Sequence, residues 1–287
     1  MRDAALHVVV ALNQIANAIG EVLLAPLKTI PEIPGAIVVA VLTGILMLIG
    51  FKYTSRQTAI KRVRDDIKAE MLALSLFRDS VPVNLKSQWQ IVLGAVQLIG
   101  LSLVPIACMA IPVTLLLGQL SLWWQARPVQ VGEYVVVTLA LNSGERSAWH
   151  DVTLQTPPGI DITQGPFRIR SKKEMAWQLQ AKTAGYHKLE FVVNGQTVTK
   201  ELAVGSNAMR VSIERPEWNL TEVLLHPAEA PFSSSSDVKS IRVQYPLETI
   251  WTHGPCAFLW FHSWLGFWFI GSTIAALCLR RVLKVNL

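Results

Sequence analysis

Charged side chains are scarce in this chain of 287 residues: only 16% are Asp, Glu, Lys or Arg, whereas a soluble domain carries about 25%. The deficit is concentrated in three apolar stretches, Ile33–Phe51, Gln90–Leu120 and Cys256–Leu279. Hydrophobic residues make up 51% of the chain, and the mean hydropathy is +0.37. The scarcity argues against a soluble globular protein and indicates an integral membrane protein.

The residues that usually carry chemistry are sparse and scattered. The three cysteines have neither disulfide nor metal-ligand spacing; they are Cys108, Cys256 and Cys278. The histidines form no His-x-x-x-His pair, and His150 and Asp151 would point to opposite faces of a strand. His262, inside the third stretch, lies near its outer edge, where we expect an interface histidine. With no Gly-x-Ser-x-Gly motif, P-loop or dinucleotide fingerprint, we expect no catalytic residue, metal or cofactor, and no enzyme.

Basic residues predict the orientation of the stretches in the membrane. The segment 52–89 carries eight Lys or Arg residues against four acidic ones, and the tail 280–287 adds Arg280, Arg281 and Lys284. Positive charge close to membrane spans marks the cytoplasmic side. The N-terminus and the region after the second stretch are therefore expected outside, and the C-terminus in the cytoplasm. Because topology explains the basic residues, no nucleic-acid partner is expected.

The N-terminal segment, residues 1–32, has a helical pattern with one polar face. Asp3, His7, Gln14 and Glu21 recur at intervals of four or seven residues among apolar residues. This pattern predicts an amphipathic helix that lies in the outer interface. The alternative is a fourth span whose polar groups face other helices.

The basic segment is predicted to form a helix over Gln57–Asp79, which contains neither Gly nor Pro. Val81-Pro82-Val83 is expected to break it, so that the chain returns to the bilayer through extended residues 80–89. The helix either lies along the inner membrane surface or stands against an inward extension of the second stretch. The candidate contacts with anionic lipid headgroups or with clients are Lys61, Arg62, Arg64 and Lys68.

Alternating Val and Thr residues after the second stretch predict an external β domain. The predicted strands are Tyr134–Leu141, Trp149–Gln155, Met175–Ala181, Lys188–Val193 and Gln196–Val204. Asn194-Gly195 predicts a hairpin turn between the last two. The spacing indicates an antiparallel sandwich of the immunoglobulin-like class. Two further strands and a short helix are expected after it, at Met209–Ile213, Lys239–Gln244 and Trp218–Leu225.

Uncharged polar residues inside the stretches provide the candidate site. Gln90, Gly94 and Gln97 share one helical face near the inner surface, and Thr43 and Gly44 of the first stretch could pack against them. These residues are either polar contacts between helices or the lining of a hydrophilic recess on the cytoplasmic half. The candidate groove residues are therefore Gln90, Gln97 and Thr43.

The predicted fold is an α+β membrane protein with three transmembrane helices, amphipathic helices and the external sandwich. The predicted segments are 1–32 (interfacial helix), 33–51 (first span), 52–89 (basic cytoplasmic segment), 90–121 (second span), 122–206 (sandwich), 207–254 (external juxtamembrane segment), 255–279 (third span) and 280–287 (basic tail).

This layout resembles the YidC-type membrane insertase superfamily in its minimal three-span form. The resemblance covers Gly35–Phe51, Lys52–Trp89, Gln90–Leu120 and Cys256–Leu287, about half of the chain, and it lies in layout rather than in motifs. It implies an insertase or membrane chaperone of the bacterial inner membrane with a cytoplasm-facing polar groove; bacterial members place an arginine there, which no span here carries well inside. The rival hypothesis is a non-enzymatic scaffold whose sandwich docks other membrane or external proteins.

Overall fold

The computed structural model describes residues 2–77, 80–142, 151–206, 208–247 and 263–282. Within these ranges the fold is α+β, with six α-helices and two antiparallel sheets. The helices are α1 (Arg2–Leu23), α2 (Glu32–Thr54), α3 (Gln57–Leu76), α4 (Val81–Trp124), α5 (Leu220–Leu225) and α6 (Trp264–Leu279).

Three of the helices, α1, α2 and α4, are long and apolar enough to cross a bilayer, which indicates a membrane protein. The third predicted stretch is represented by α6, which has 16 described residues. The beginning of that stretch, with its aromatic residues Phe258, Trp260 and Phe261, lies outside the described residues, as do His262 and His150.

The prediction that residues 80–89 are extended is wrong. Instead, α4 is helical from Val81 onward and continues for 44 residues. Pro82 lies in its first turn, where backbone N–H groups have no intrahelical acceptor, so proline costs no hydrogen bond there. The helix break therefore falls before Val81 and not at Pro82.

α3 packs antiparallel against the N-terminal part of α4. A Cβ placed on Gly94 would lie 2.6 Å from Ile67, and the Gln90 amide lies beside the Glu70 carboxylate. Ile60 and Val63 are buried on the same side of α3. The structure therefore has the contact with the extension of α4 that one of the two predicted arrangements of the basic segment requires.

The strands lie in a compact unit formed by Met1–Glu32 and Thr114–Trp264; Ile33–Val113 and Leu265–Leu287 form a second unit. One sheet has the order β3-β4-β1-β8-β7 and the other β2-β5-β6. Both sheets contribute to one hydrophobic core, in which Trp177 and Phe191 meet edge to face at 5.4 Å. The strands are β1 (Tyr134–Leu141), β2 (Val152–Gln155), β3 (Ile160–Ile169), β4 (Glu174–Ala181), β5 (Gly185–Val193), β6 (Gln196–Val204), β7 (Glu214–Arg215) and β8 (Val238–Val243).

The predicted hairpin is confirmed, because Asn194 and Gly195 connect β5 and β6 with positive φ angles of 50° and 80°. β3 was missed: it contains Gly165-Pro166 and, apart from Ile160, is exposed along its length at a sheet edge, so no alternating pattern marks it. The predicted strand Met209–Ile213 is wrong, since these residues form no strand and the short β7, Glu214–Arg215, follows them.

Candidate functional site

Small residues bring α2 and α6 into close contact in the second unit. A Cβ on Gly44 would lie 2.5 Å from the carbonyl oxygen of Ser272, and a Cβ on Gly271 would lie 3.0 Å from the Cβ atom of Ala40. The pairs Ala40 with Gly271 and Gly44 with Ala275 have the same residue offset, so the two helices run parallel. Small side chains four residues apart are the usual means by which membrane helices approach closely.

Between this helix pair and α4 lies an open groove of about 460 Å³. α2 meets α4 where Gly50 faces the Met109 thioether, and the groove opens beside this contact. Its lining contains no charged side chain. The lining residues are Met47, Leu48, Phe51, Pro105, Ile106, Met109, Ala110, Val113, Phe269 and Ala276. Such a surface can bind only apolar material, because nothing in it can replace the hydration of a polar ligand.

The predicted groove residues lie elsewhere, and in two separate places. Gln90 faces Glu70 of α3, and Gln97 is exposed on the same extension of α4. Thr43 is buried in α2, beside Gly44 of the α6 contact, and its hydroxyl donates to the Val39 carbonyl at 2.7 Å. The structure therefore has a groove among α2, α4 and α6, but its lining is apolar and includes none of the three predicted residues.

The predicted basic contacts lie along α3. Lys61, Arg62 and Lys68 are exposed, and Arg64 is partly buried. Lys68 lies 3.7 Å from Asp65 one turn earlier, an exposed pair of little energetic weight. The exposed side chains of Lys61, Arg62 and Lys68 can contact anionic groups outside the chain.

Polar residues of α1 form hydrogen bonds inside the unit that contains the sheets. The Asn13 amide donates to the Val223 carbonyl at 2.8 Å, and the Asn17 amide donates to the Pro227 carbonyl at 2.7 Å. Gln119 of α4 donates to the Asn17 side chain at 2.8 Å. The side chains of Asn13 and Asn17 thus fix α1 to the α5 region. Of the predicted polar face, Asp3 and His7 contact Trp218 just before α5, whereas Gln14 and Glu21 are exposed.

A buried lysine is the most unusual polar feature of the sheets. The Lys200 side chain is 0% exposed, and its ammonium group donates to Glu229 at 2.5 Å and to the Ser212 carbonyl at 2.7 Å. The Ser212 hydroxyl lies 3.0 Å from Lys200 and donates to Glu229 at 2.5 Å. Burial lowers the pKa of Lys200, whereas Glu229 opposes this change. Serine and lysine at this distance could form a nucleophile and base, but both are enclosed and the lysine is ion-paired, so the arrangement is structural.

Glu214, Glu222 and His226 are the described residues that could hold a metal ion, because their ligand atoms lie within 4.8 Å of one another. One oxygen of Glu214 accepts a hydrogen bond from Arg242 at 2.6 Å, so that carboxylate already has a cationic partner. Burial lowers the pKa of His226, and the two carboxylates oppose this change. The cluster is best described as an ion-pair network that ties α5 to β7 and β8.

The burial of Lys200 could have been inferred from its position in the alternating pattern of β6. In β6 the inward positions alternate, so Lys200 shares the face of Leu202 and Val204. A lysine at an inward position needs a buried carboxylate, which is Glu229, 29 residues later in the chain. The apolar groove has no comparable sequence signal, because its lining comes from three helices.

Comparison of the chain with protein-family models, with curated proteins and with solved structures gives no match. Its function must therefore be inferred from the groove and the surfaces themselves.

Proposed function

We propose that the protein is an insertase-like membrane chaperone that holds an apolar transmembrane segment of a client protein in the groove between α2, α4 and α6. The observation that carries the proposal is the open groove of about 460 Å³ with its uncharged lining. A client helix in this groove would exchange lipid contacts for protein contacts while its backbone bonds stay internal.

The composition of the lining suits a variable client. Met47 and Met109 face the groove, and methionine side chains adapt to differently shaped apolar partners because they are unbranched and polarizable. Pro105 lies in the same wall, where it removes one backbone hydrogen bond from α4 and favours a bend. Such a wall can adjust its shape to clients that differ in theirs.

The proposed topology is that of a bacterial inner-membrane protein with the N-terminus and the β domain outside and the C-terminus in the cytoplasm. The parallel packing of α2 and α6 supports it, because the first and third spans must run in the same direction. The groove then lies in the cytoplasmic half, near Thr54 at the end of α2. We also propose that the two sheets form an immunoglobulin-like sandwich, which their common core supports.

The test is to fill the groove. Ala110→Trp places a large side chain in its wall, and Ile111→Trp places the same side chain at the next residue, which is 62% exposed and outside the groove. In proteoliposomes, Ala110→Trp should reduce insertion of a membrane-protein client severalfold, and Ile111→Trp should leave it unchanged. Equal insertion by both variants would rule out the groove as the client site.

A scaffold is the second candidate, favoured by the exposed edge strand β3. Phe167 and Ile169 expose apolar side chains on this strand, and the basic residues Arg170, Lys172 and Lys173 follow in its turn. An edge strand of this kind can pair with an extended segment of another protein. Replacing Phe167 and Ile169 with Asp should abolish co-purification of an external partner without affecting membrane integration; retained partners would exclude this role of β3.

A further inference from the structure

An apolar stripe runs along the N-terminal part of α4. Its residues recur every three or four positions and are 51–69% exposed. They are Leu85, Trp89, Val92, Val96, Ile99 and Leu103, hereafter the α4 stripe. The stripe covers 18 residues of helical rise, about 27 Å. Apolar surface of this length in a continuous row marks a binding surface.

The α4 stripe lies on the side of α4 that α3 does not cover. Gly94 faces Ile67 of α3, and Val92 and Val96, two residues before and after it, are rotated by about 200° from that contact. The α3–α4 hairpin is therefore a two-layer structure, with an apolar outer face on α4 and a charged outer face on α3 from Lys61 to Lys68. Lys61, Arg62 and Lys68 are exposed on α3.

The residues around the α4 stripe indicate that lipid acyl chains, rather than a second helix in water, cover it. A water-exposed helical seam usually carries Glu or Lys at its flanking positions. Lys86 is the one charged residue between Val81 and Trp124, and from Trp89 onward the stripe is flanked by Leu93, Ala95, Gly100 and Ser102. From Ile91 to Leu103 the polar residues are Gln97 and Ser102, and a helix surface with so few polar side chains requires burial in protein or in lipid.

The length of α4 places the stripe beyond the end of α2. Gly50 faces Met109, and α2 ends one turn later at Thr54, so α4 extends from about Pro105 to Val81 without α2 as a neighbour. That extension is about 36 Å long. Pro105 lies where it begins, and because proline has no N–H, α4 can bend there without losing a further hydrogen bond.

We propose that the α3–α4 hairpin lies along an anionic membrane leaflet, with the α4 stripe among the acyl chains and α3 at the level of the headgroups. Charge supports an anionic surface, since Lys52–Lys86 contains eight basic and four acidic residues. Trp89 at the start of the stripe matches the preference of tryptophan for the interface. This surface differs from the client groove, so the two proposals can fail separately.

The test measures membrane depth with spin labels on the full-length protein. Cys108, Cys256 and Cys278 are replaced with Ser, and one cysteine is introduced by Ile99→Cys in the stripe or by Lys61→Cys on α3. The labelled proteins are reconstituted in vesicles of phosphatidylcholine and phosphatidylglycerol. Collisions with oxygen should exceed collisions with a water-soluble nickel chelate severalfold at position 99, and the order should reverse at position 61.

A pair of substitutions and a change of lipid composition serve as controls for this measurement. Val96→Glu should lower the oxygen-to-nickel ratio at position 99 severalfold, whereas Gln97→Glu, one residue away and off the stripe, should not. Omitting phosphatidylglycerol should also lower the ratio; an unchanged ratio would overturn the requirement for an anionic surface. A label at position 99 that collides freely with nickel would show the stripe in water, and one shielded from both reagents would show it covered by protein. Either result overturns the proposal.

Discussion

Replacement of the buried Lys200 is expected to destabilise the unit that contains the sheets. Lys200→Met removes an ammonium group whose side chain is 0% exposed. The Glu229 carboxylate, whose side chain is 18% exposed, loses this ion pair and keeps its hydrogen bond from the Ser212 hydroxyl. Removal of one partner from a buried ion pair costs about 3–5 kcal/mol, because the remaining charge stays desolvated. The partial exposure of Glu229 favours the lower end of this range, about 3 kcal/mol.

Thermal unfolding in detergent, followed by near-ultraviolet circular dichroism, measures this effect. Trp177 packs against Phe191 in the core to which β6 contributes, so its signal reports on that core. A loss of 3–5 kcal/mol corresponds to a decrease in Tm of about 6–20 °C for a domain of this size. Lys188→Met, at an exposed position of β5, is the matched control and should cost less than about 0.5 kcal/mol.

A double substitution distinguishes a lost ion pair from lost packing. Lys200→Met combined with Glu229→Leu removes both charges, and replacement of a buried pair by apolar residues is often neutral. The double variant should therefore recover much of the stability that the single variant loses. If the double variant were no more stable than Lys200→Met, or if Lys200→Met cost under about 1 kcal/mol, the interpretation of this cluster as a buried ion pair would be refuted.

Three further substitutions test other parts of the structure. Since burial lowers the pKa of His226, the unfolded chain binds a proton that the folded chain does not, and stability should fall as the pH falls below about 6.5; His226→Gln should flatten this slope in acid-titrated unfolding. Gly44→Val would place its Cβ 2.5 Å from the Ser272 carbonyl oxygen, so it should separate α2 from α6 and reduce disulfide crosslinking between cysteines introduced into these helices; unchanged crosslinking would contradict the observed packing. Gly195→Ala should cost about 1 kcal/mol in thermal unfolding, because its φ of 80° disfavours a side chain; an unchanged Tm would argue against this turn.

Local patterns predicted much of the β structure. β1 and β6 have the predicted limits, and the residues of β1 alternate strictly between buried and more exposed positions. Asn194-Gly195 specifies the turn before β6. β3 could not be predicted in this way, since a strand exposed along nearly its whole length has no inward face to reveal it. Its existence depends on hydrogen bonds to β4, which are set by the fold as a whole.

Neither the apolar character of the groove nor its lining residues could be predicted from the sequence, which indicated a polar recess instead. Apolar stretches indicated a bundle of spans, yet Gln90 and Gln97 lie along the α3 side of α4 and Thr43 lies beside the α6 contact. Polarity identified residues that need hydrogen bonds, whereas the groove is formed by apolar residues such as Phe51 and Met109 that no single-helix pattern distinguishes from lipid-facing ones. Only the packing of three helices shows which apolar side chains border an open space.

Photo-crosslinking from the groove tests the proposed function most directly. A photoreactive amino acid is placed at Met109 in the groove wall, or at Ile111 on the exposed side of α4, and membranes are irradiated while a multispanning membrane protein is being synthesised. The groove proposal predicts crosslinks from position 109 to apolar segments of the new protein and few from position 111. Equal crosslinking from both positions, or crosslinks from position 109 to lipid alone, would contradict it.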